Sequence, residues 1–202
     1  MPCKHFIIIE ASETNILEIS EEMIPLETNS TALFNETMTR LLNDGNVLKM
    51  QQFGQHHGNN TLQHCINVAR YSFYLAQTWN WKIDEVSLAT GAMLHDYYLY
   101  CTKDMTISAF RHGVGHPKTA YTNASKVWEL NTKEKNIILS HMWPLTPFSF
   151  PHSKEAFLVT VADKYCAVRE FSASRDEKAI DPYEHTAWMA SFIKRTLKGM
   201  PA

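Results

Sequence analysis

The stretch GAMLHDYYLY, residues 91–100, reads as the end of an apolar helix and then places two ionisable residues, His95 and Asp96, side by side. Neighbouring residues on a helix point about 100° apart, so their side chains do not face each other. Both side chains can reach a third group that lies between them, and a metal ion is such a group. The stretch therefore predicts a polar site, suited to a metal, within an apolar helical core.

Helical periodicity dominates the rest of the sequence, and the alternating β-branched runs that are typical of strands are scarce. With only seven glycines and eight prolines, few positions interrupt the pattern. Apolar spacing and capping residues predict a helix that ends near Asn43-Asp44-Gly45, and further helices at 60–78, from Asp84, from Pro117, from Thr132, from Ser153 and at 181–199. The helix at 60–78 is apolar almost all round, which predicts that it lies in the middle of the core.

The stretch RHGVGHPKT, residues 111–119, predicts a turn. Pro117 then suits the first position of the following helix, and His116 lies at its cap. Residues 1–28 are acidic and weakly periodic. We therefore predict an N-terminal extension over residues 1–28 and one all-α domain, a single bundle of about seven helices, over residues 29–202.

Composition and charge exclude several classes of protein. The chain has 202 residues, of which 45% are apolar and 20% charged, and its formal charge of −2 offers no basic surface for a nucleic-acid polymer or a membrane. The apolar run at 6–9 is too short for a signal peptide or a membrane span. Four cysteines lack CxxC spacing, and the apolar surroundings of Cys65, Cys101 and Cys166 predict buried free thiols in a reducing cytoplasm.

Polar residues interrupt the apolar pattern of every central helix. They are His64, His95, Asp96, His141 and Asp163, with His116 at a predicted helix start. A single histidine on an apolar face is more often a hydrogen-bonded core residue than a ligand. Asp163 differs, because an unpaired carboxylate is costly to bury and no Arg or Lys lies one turn away, although Lys164 stays open as a partner. Imidazole and carboxylate together suit Mn, Fe, Co, Ni or Zn better than Mg.

The order of these six residues resembles the HD-domain superfamily of all-helical, metal-dependent phosphohydrolases. The resemblance covers roughly residues 55–170 and includes the local matches LQHCINVA, GAMLHD, HPKTA and VADKYCA. It implies an HD-domain-like helical bundle with two divalent transition metal ions, as in the two-metal subset of the superfamily. One ion would be held by His64, His95, Asp96 and Asp163, and Asp96 would bridge to a second ion held by His116 and His141. His95 and Asp96 are then the expected catalytic residues.

The implied activity is hydrolysis of a phosphoester of a nucleotide or related small metabolite, as a phosphomonoesterase or phosphodiesterase. Two dications against two carboxylates leave a residual charge of about +2, which attracts phosphate, and a water that bridges the ions loses a proton near neutral pH. Many superfamily members place a short basic element after the His-Asp pair, whereas this chain has tyrosines at 97, 98 and 100. Lys118 and Lys164 are the candidates for contact with a substrate phosphate, and plain surface lysines are the alternative.

Two other functions fit the same residues. A minority of the superfamily with a similar ligand pattern uses a di-iron centre to activate oxygen, and nothing in the sequence separates this oxygenase from the hydrolase. A non-catalytic domain that senses a metal or a ligand is the third alternative. The complete ligand set argues against it, because loss of activity usually appears as missing ligands. The sequence predicts neither the substrate nor the oligomeric state.

Overall fold

The computed structural model describes residues 29–54, 60–101 and 108–173. Regular structure in these ranges is entirely helical, apart from an isolated β-bridge between Gly54 and Asn60. The helices are α1 (Asn29–Leu42), α2 (Gly45–Leu48), α3 (Thr61–Thr78), α4 (Glu85–Leu94), α5 (Ala109–Ala124), α6 (Thr132–Ser140) and α7 (Lys154–Ala173), with a 3-10 helix at Lys49–Gln52. The predicted all-α bundle of about seven helices is confirmed. The predicted helix at 181–199 lies outside the described residues, and the boundary at residue 28 stays a prediction.

Most predicted helix starts are confirmed by their caps. The side chains of Asn60, Asp84 and Ser153 each accept a hydrogen bond from the backbone N–H three residues later, at the starts of α3, α4 and α7. Thr132 is the first residue of α6, which Asn131 caps as part of a capping box. These side-chain oxygens satisfy backbone donors that the first turn of a helix leaves free. Local sequence therefore determines where these four helices begin.

The predicted turn at residues 111–119 is wrong. Helix α5 begins after Ser108, continues through this stretch and contains Pro117 in its interior, so His116 lies inside the helix and not at its cap. One of the two glycines that suggested a turn has a packing role instead. A Cβ at Gly113 would lie 2.8 Å from Leu145 Cδ2, so the missing side chain lets the segment after α6 approach the helix.

Two of the three cysteine predictions are confirmed. Cys65 and Cys166 are buried free thiols, whereas Cys101 forms a disulfide bond. The prediction failed for Cys101 because this residue follows the end of α4 in a non-helical segment, so it does not belong to an apolar helix face. Among the described helices, none is both long and apolar enough to cross a membrane.

Helix α3 is the central element, as its all-round apolar pattern predicted. It packs against α4 and α7, and α4 in turn contacts α1 and α6. Twelve of the residues of α3 are buried, and His64 is one of them. This arrangement places the predicted ligands of α3, α4 and α7 on neighbouring helices.

The first turns of α4, α6 and α7 are joined by a polar network. Glu155 Oε1 accepts hydrogen bonds from Asp84 N at 2.7 Å and from Lys133 Nζ at 3.2 Å. Asn131 Nδ2 donates to Ser87 Oγ at 3.0 Å, which links the cap of α6 to the first turn of α4. The network therefore aligns the three helix starts at the end of the bundle from which α4 and α6 run toward His95 and His141.

Helices α4 and α6 also touch one turn before these two histidines. A Cβ at Gly91 would lie 2.5 Å from Ile137 Cδ1, closer than real Cβ contacts allow. Because Gly91 and Ile137 lie four residues before His95 and His141 respectively, their contact sets how closely the two imidazoles approach. The ring centroids of these imidazoles are 4.8 Å apart.

Gly91→Ala should lower the free energy of unfolding by about 1–3 kcal/mol, because the added methyl group pushes α4 away from Ile137. Gly115→Ala is the matched control, since Gly115 is also a helix residue but a Cβ there meets nothing within 4 Å. The control should be neutral, or more stable by up to about 1 kcal/mol because alanine favours helix. Urea denaturation measures both variants, and equal stability changes would contradict the close-packing role of Gly91.

Candidate metal centre

The structure brings the six predicted ligands together from five helices. His64 lies in α3, His116 in α5 and Asp163 in α7, while His95, Asp96 and His141 directly follow the ends of α4 and α6. All six are buried, with exposures from 0% for His95 and His141 to 8% for Asp163. Residues that are far apart in sequence thus form one enclosed polar cluster.

The two oxygens of Asp96 face different pairs of histidines. Oδ2 lies 3.9 Å from His64 Nε2 and 3.6 Å from His95 Nε2. Oδ1 lies 3.1 Å from His116 Nε2 and 3.5 Å from His141 Nε2. The carboxylate therefore lies between two separate sets of nitrogen atoms.

Asp163 completes the first of these sets. Its Oδ1 is 3.2 Å from His64 Nε2 and 3.7 Å from His95 Nε2. Ligand atoms that sit about 2.1 Å from one ion are themselves about 3.0–3.4 Å apart in octahedral or tetrahedral geometry. The observed spacings are close to these values. His64, His95 and Asp163 form one group that can hold a metal ion, and His95, Asp96 and His141 form another.

All four imidazoles direct Nε2 toward the centre of the cluster. The Nδ1 atoms of His95, His116 and His141 lie 2.7, 3.0 and 2.8 Å from the carbonyl oxygens of Ala92, His112 and Ile138. A carbonyl oxygen only accepts, so in each case Nδ1 carries the proton and Nε2 keeps its lone pair in the neutral ring. The fourth ring, His64, directs Nδ1 to Glu170 Oε2 at 2.9 Å.

The positions of the Nε2 atoms favour a bound cation. The Nε2 atoms of His116 and His141 are 2.7 Å apart, and two lone pairs at that distance repel unless a proton or a metal ion lies beside them. His95 Nε2 is buried and has no hydrogen-bond partner among the described residues. Both features fit a site whose imidazole nitrogens bind a metal ion.

Two helix ends add to the negative field at the cluster. His95 and His141 are the C-caps of α4 and α6. The last carbonyl groups of a helix lack internal partners and carry partial negative charge, which favours a nearby cation. Each imidazole satisfies one of these carbonyls through Nδ1, so the same residue ends its helix and presents a ligand atom.

The His-Asp pair lies in a turn and not in the helix that the sequence predicted for it. Helix α4 ends at Leu94, and Tyr98 N donates to Asp96 O at 2.8 Å. From α5, Asn123 Nδ2 donates to Tyr98 O at 2.9 Å, and Leu99 adopts a positive φ of 55°. This turn brings the neighbouring side chains of His95 and Asp96 within 3.6 Å of each other, which adjacent positions of a helix do not allow.

Burial and neighbouring charges act against each other throughout the cluster. Burial alone would raise the pKa of Asp96, but the imidazoles, led by His95, hold it well below its usual range. Burial alone would also raise the pKa of Asp163, but His64, His95 and Lys164 hold it well below its usual range. Burial lowers the pKa of His64, yet Asp163 and Glu170 raise it to about 10. The two ionised carboxylates therefore require positive charge beside them, from protons or from metal ions.

The two lysines that were predicted to bind substrate lie in different surroundings. Lys164 Nζ donates to Asp163 Oδ2 at 3.0 Å and to the carbonyl oxygen of His141. Its side chain is 39% exposed. Lys118 is exposed on α5, two residues after His116. Their role as substrate-binding residues stays a prediction.

Sequence analysis missed two neighbours of the cluster. Glu170 contacts His64, and the signal was its position seven residues after Asp163, which places both carboxylates on one face of α7. His112 stacks on His116 with ring centroids 4.7 Å apart, and its Nδ1 lies 2.9 Å from the hydroxyl of Tyr100. No local signal identified this second contact, because it depends on α5 running through the predicted turn.

His95→Ala and Asp96→Ala should each reduce bound metal, and Asp96→Ala should be the worse because Asp96 faces both nitrogen sets. Both variants should also lose stability, since a metal at about 100 times its Kd stabilises the folded state by about 2.7 kcal/mol. Elemental analysis and thermal unfolding measure the two effects. His152→Ala, which removes an exposed histidine, is the control and should change neither. Unchanged metal content in Asp96→Ala would contradict the assignment.

Comparison with known proteins agrees with this geometry. No curated protein and no solved structure matches the chain significantly. The family model described as HD domain matches residues 61–168, a range that holds all six clustered residues and more than half of the chain. The protein therefore belongs to the HD domain family.

Proposed function

We propose that the protein is a metal-dependent phosphohydrolase that acts on a phosphoester of a nucleotide or a related small metabolite. The observation that carries the proposal is the position of Asp96, whose two oxygens face two separate pairs of imidazoles in a buried cluster. HD domains are commonly metal-dependent hydrolases. The family binds divalent metals, and the clustered His and Asp residues can hold them.

We further propose that the site takes two ions. His64, His95, Asp163 and one oxygen of Asp96 would hold the first, and His116, His141 and the other oxygen of Asp96 the second. Four imidazoles among six ligands favour Mn, Fe, Co, Ni or Zn over Mg. The 2.7 Å approach of His116 Nε2 to His141 Nε2 supports a second ion, because these nitrogens lie on the far side of Asp96 from His64.

Divalent ions held by these residues would supply Lewis acidity to a phosphoryl oxygen and would lower the pKa of a water toward neutral pH. The side chains around the ions determine the net charge of the site. Two dications against Asp96 and Asp163 leave about +2, and the charges of Glu170 and Lys164 next to the ligands cancel each other. The protein therefore offers a positive site to a phosphate group.

The least buried part of the cluster indicates where a phosphate would approach. Asp163 and His116 are the most exposed of the six ligands, at 8% and 5%. Lys164 follows Asp163 directly, and Lys118 lies two residues after His116. Lys164 Nζ therefore lies next to Asp163 Oδ2, and Lys118 is exposed to solvent on α5. Lys164 uses two of its three N–H donors on Asp163 and His141, whereas Lys118 forms no ion pair within the described residues, so Lys118 is the better candidate for phosphate binding.

Removal of His116 or His141 should leave about one equivalent of metal, because the first ion keeps His64, His95, Asp96 and Asp163. His64→Ala should instead affect the first ion. Titration with Co²⁺, followed by elemental analysis after desalting, measures the number of equivalents. If both His116→Ala and His141→Ala keep two equivalents, the two histidines have a structural role and the site holds a single ion.

The purified protein with Mn²⁺ or Co²⁺ should release phosphate or a nucleotide from some member of a panel of nucleoside phosphates and cyclic dinucleotides. Lys118→Ala should raise KM more than it lowers kcat if Lys118 binds phosphate equally in the ground and transition states. Lys126→Ala removes an exposed lysine just beyond α5 and should change neither constant. Steady-state kinetics distinguishes these outcomes.

The other two functions give different results in the same assay. Oxygen uptake by iron-loaded protein, without turnover on the panel, would favour the di-iron oxygenase. Neither turnover nor oxygen uptake by metal-loaded protein would favour a ligand-sensing domain. Either result would overturn the hydrolase proposal while leaving the metal site intact.

A further inference from the structure

We propose that Glu170 is a positioning residue for His64, which makes the ion on the His64 side of Asp96 the more tightly bound of the two. The inference rests on the metal site of the proposed function and not on hydrolysis. It begins with a difference among the four histidines. Three direct Nδ1 to neutral backbone carbonyls, whereas His64 directs Nδ1 to a carboxylate, Glu170 Oε2, at 2.9 Å.

The difference follows from where His64 lies in its helix. His95 and His141 follow the C-terminal ends of α4 and α6, where backbone carbonyls lack helical partners and can accept from Nδ1. His64 lies in the first turn of α3, where the free backbone groups are N–H donors. The carbonyl of Asn60, four residues earlier, already accepts from His64 N at 3.1 Å. The Nδ1 proton of His64 goes instead to an acceptor on another helix.

Helix α7 supplies that acceptor together with a ligand. Asp163 Oδ1 lies 3.2 Å from Nε2 of His64, and Glu170 Oε2 lies 2.9 Å from Nδ1, so one imidazole is held between two carboxylates of the same helix. The side chain of Glu170 is only 8% exposed. A buried carboxylate on the outer nitrogen fixes the ring orientation and makes the inner nitrogen a stronger donor to a metal.

Glu170 is itself held in place by a chain of amides. Its Oε1 accepts from Asn67 Nδ2 at 3.1 Å, and Asn67 Oδ1 accepts from Gln63 Nε2 at 3.0 Å. All three partners of this chain lie on α3 and α7, the helices that also carry His64 and Asp163. The orientation of His64 is therefore set by the packing of these two helices, independently of any metal.

Charge then distinguishes the two halves of the site. The half around His64 includes Asp163 and Glu170 as well as one oxygen of Asp96. Lys164 Nζ, 3.0 Å from Asp163 Oδ2, offsets one of these negative charges. Among the described residues, the anionic group that faces His116 and His141 is the other oxygen of Asp96, and both imidazoles donate through Nδ1 to neutral carbonyls. A dication is held more strongly where more anionic groups surround it, so the first half should bind the tighter ion.

Glu170→Gln tests the charge separately from the hydrogen bonds. A glutamine can still accept from His64 Nδ1, and its amide can donate to Asn67 if the amides of Asn67 and Gln63 both flip. The variant thus keeps the hydrogen-bonded chain and removes the negative charge. Glu129→Gln, at an exposed position, is the matched control for loss of one carboxylate.

Competition with a chromophoric chelator at fixed pH gives the Kd of each Co²⁺ equivalent. In Glu170→Gln we expect the tighter Kd to rise by about 10- to 100-fold and the weaker Kd to stay within about 3-fold of wild type. The absorption spectrum of the protein with one Co²⁺ bound should also change, which loss of stability alone would not cause. The control should match wild type in both Kd values and in the spectrum.

Three results would overturn the inference. The first is metal binding in wild type that Glu170→Gln leaves unchanged, which would leave the proposed function standing. The second is an equal rise of both Kd values with an unchanged spectrum, which would mean that Glu170 supports the fold in general. The third is wild-type protein that takes up no metal, which would also overturn the proposed function.

Discussion

Removing a carboxylate from water costs several kcal/mol unless positive charge and hydrogen bonds replace the lost hydration. Asp96 and Asp163 are both buried at the centre of this bundle, and each remains ionised because imidazoles surround it. The cost explains why histidines from four different segments converge on two carboxylates. Replacing buried ion pairs by apolar residues of similar volume is often neutral or stabilising, so the cluster by itself is weak evidence for a stabilising role. Its residues fit a metal site because the imidazole nitrogens and the carboxylate oxygens point into the same enclosed space, where a cation could bind both.

The rest of the fold keeps these atoms at fixed distances. At one end of α4, α6 and α7, hydrogen bonds around Glu155 join the helix starts. Near the other end, the contact between Gly91 and Ile137 sets the distance between the helices one turn before their histidines. Two helices that are joined at the start and in contact near the end have little freedom to move their last residues apart. The ligand positions therefore depend on packing along the full length of the helices, and a change far from the cluster can alter it.

Local signals in the sequence predicted much of this structure. Caps such as Asn60 and Asp84 fixed the starts of helices, because a side-chain oxygen beside free N–H groups acts over only a few residues. The six clustered residues were identified because polar residues in apolar helices are costly and so few in number. Prediction failed where contacts between residues far apart in the sequence determine the local structure. The two glycines in residues 111–119 suggested a turn before Pro117, but Gly113 lies inside a helix, where it packs close to Leu145. Glu170 was missed because its importance depends on the approach of α7 to α3, which no short stretch of sequence reveals.

The tyrosines after the His-Asp pair show how the chain departs from the basic element that many superfamily members carry there. Tyr97 and Tyr98 are each only 2% exposed. Tyr97 packs edge-on against Trp128 at 5.1 Å, and Tyr98 lies 5.8 Å from the ring of His116. This segment therefore packs against α5 and the core, where the charged group of a lysine would lose its contact with water. A substrate phosphate would have to find its cations elsewhere, and within the described residues the lysines next in sequence to the least buried cluster residues are Lys164 on α7 and Lys118 on α5. If the cations for a phosphate lie on α5 and α7, the turn after His95 needs no lysine. Its buried tyrosines can then hold Asp96 rigidly between the two pairs of histidines.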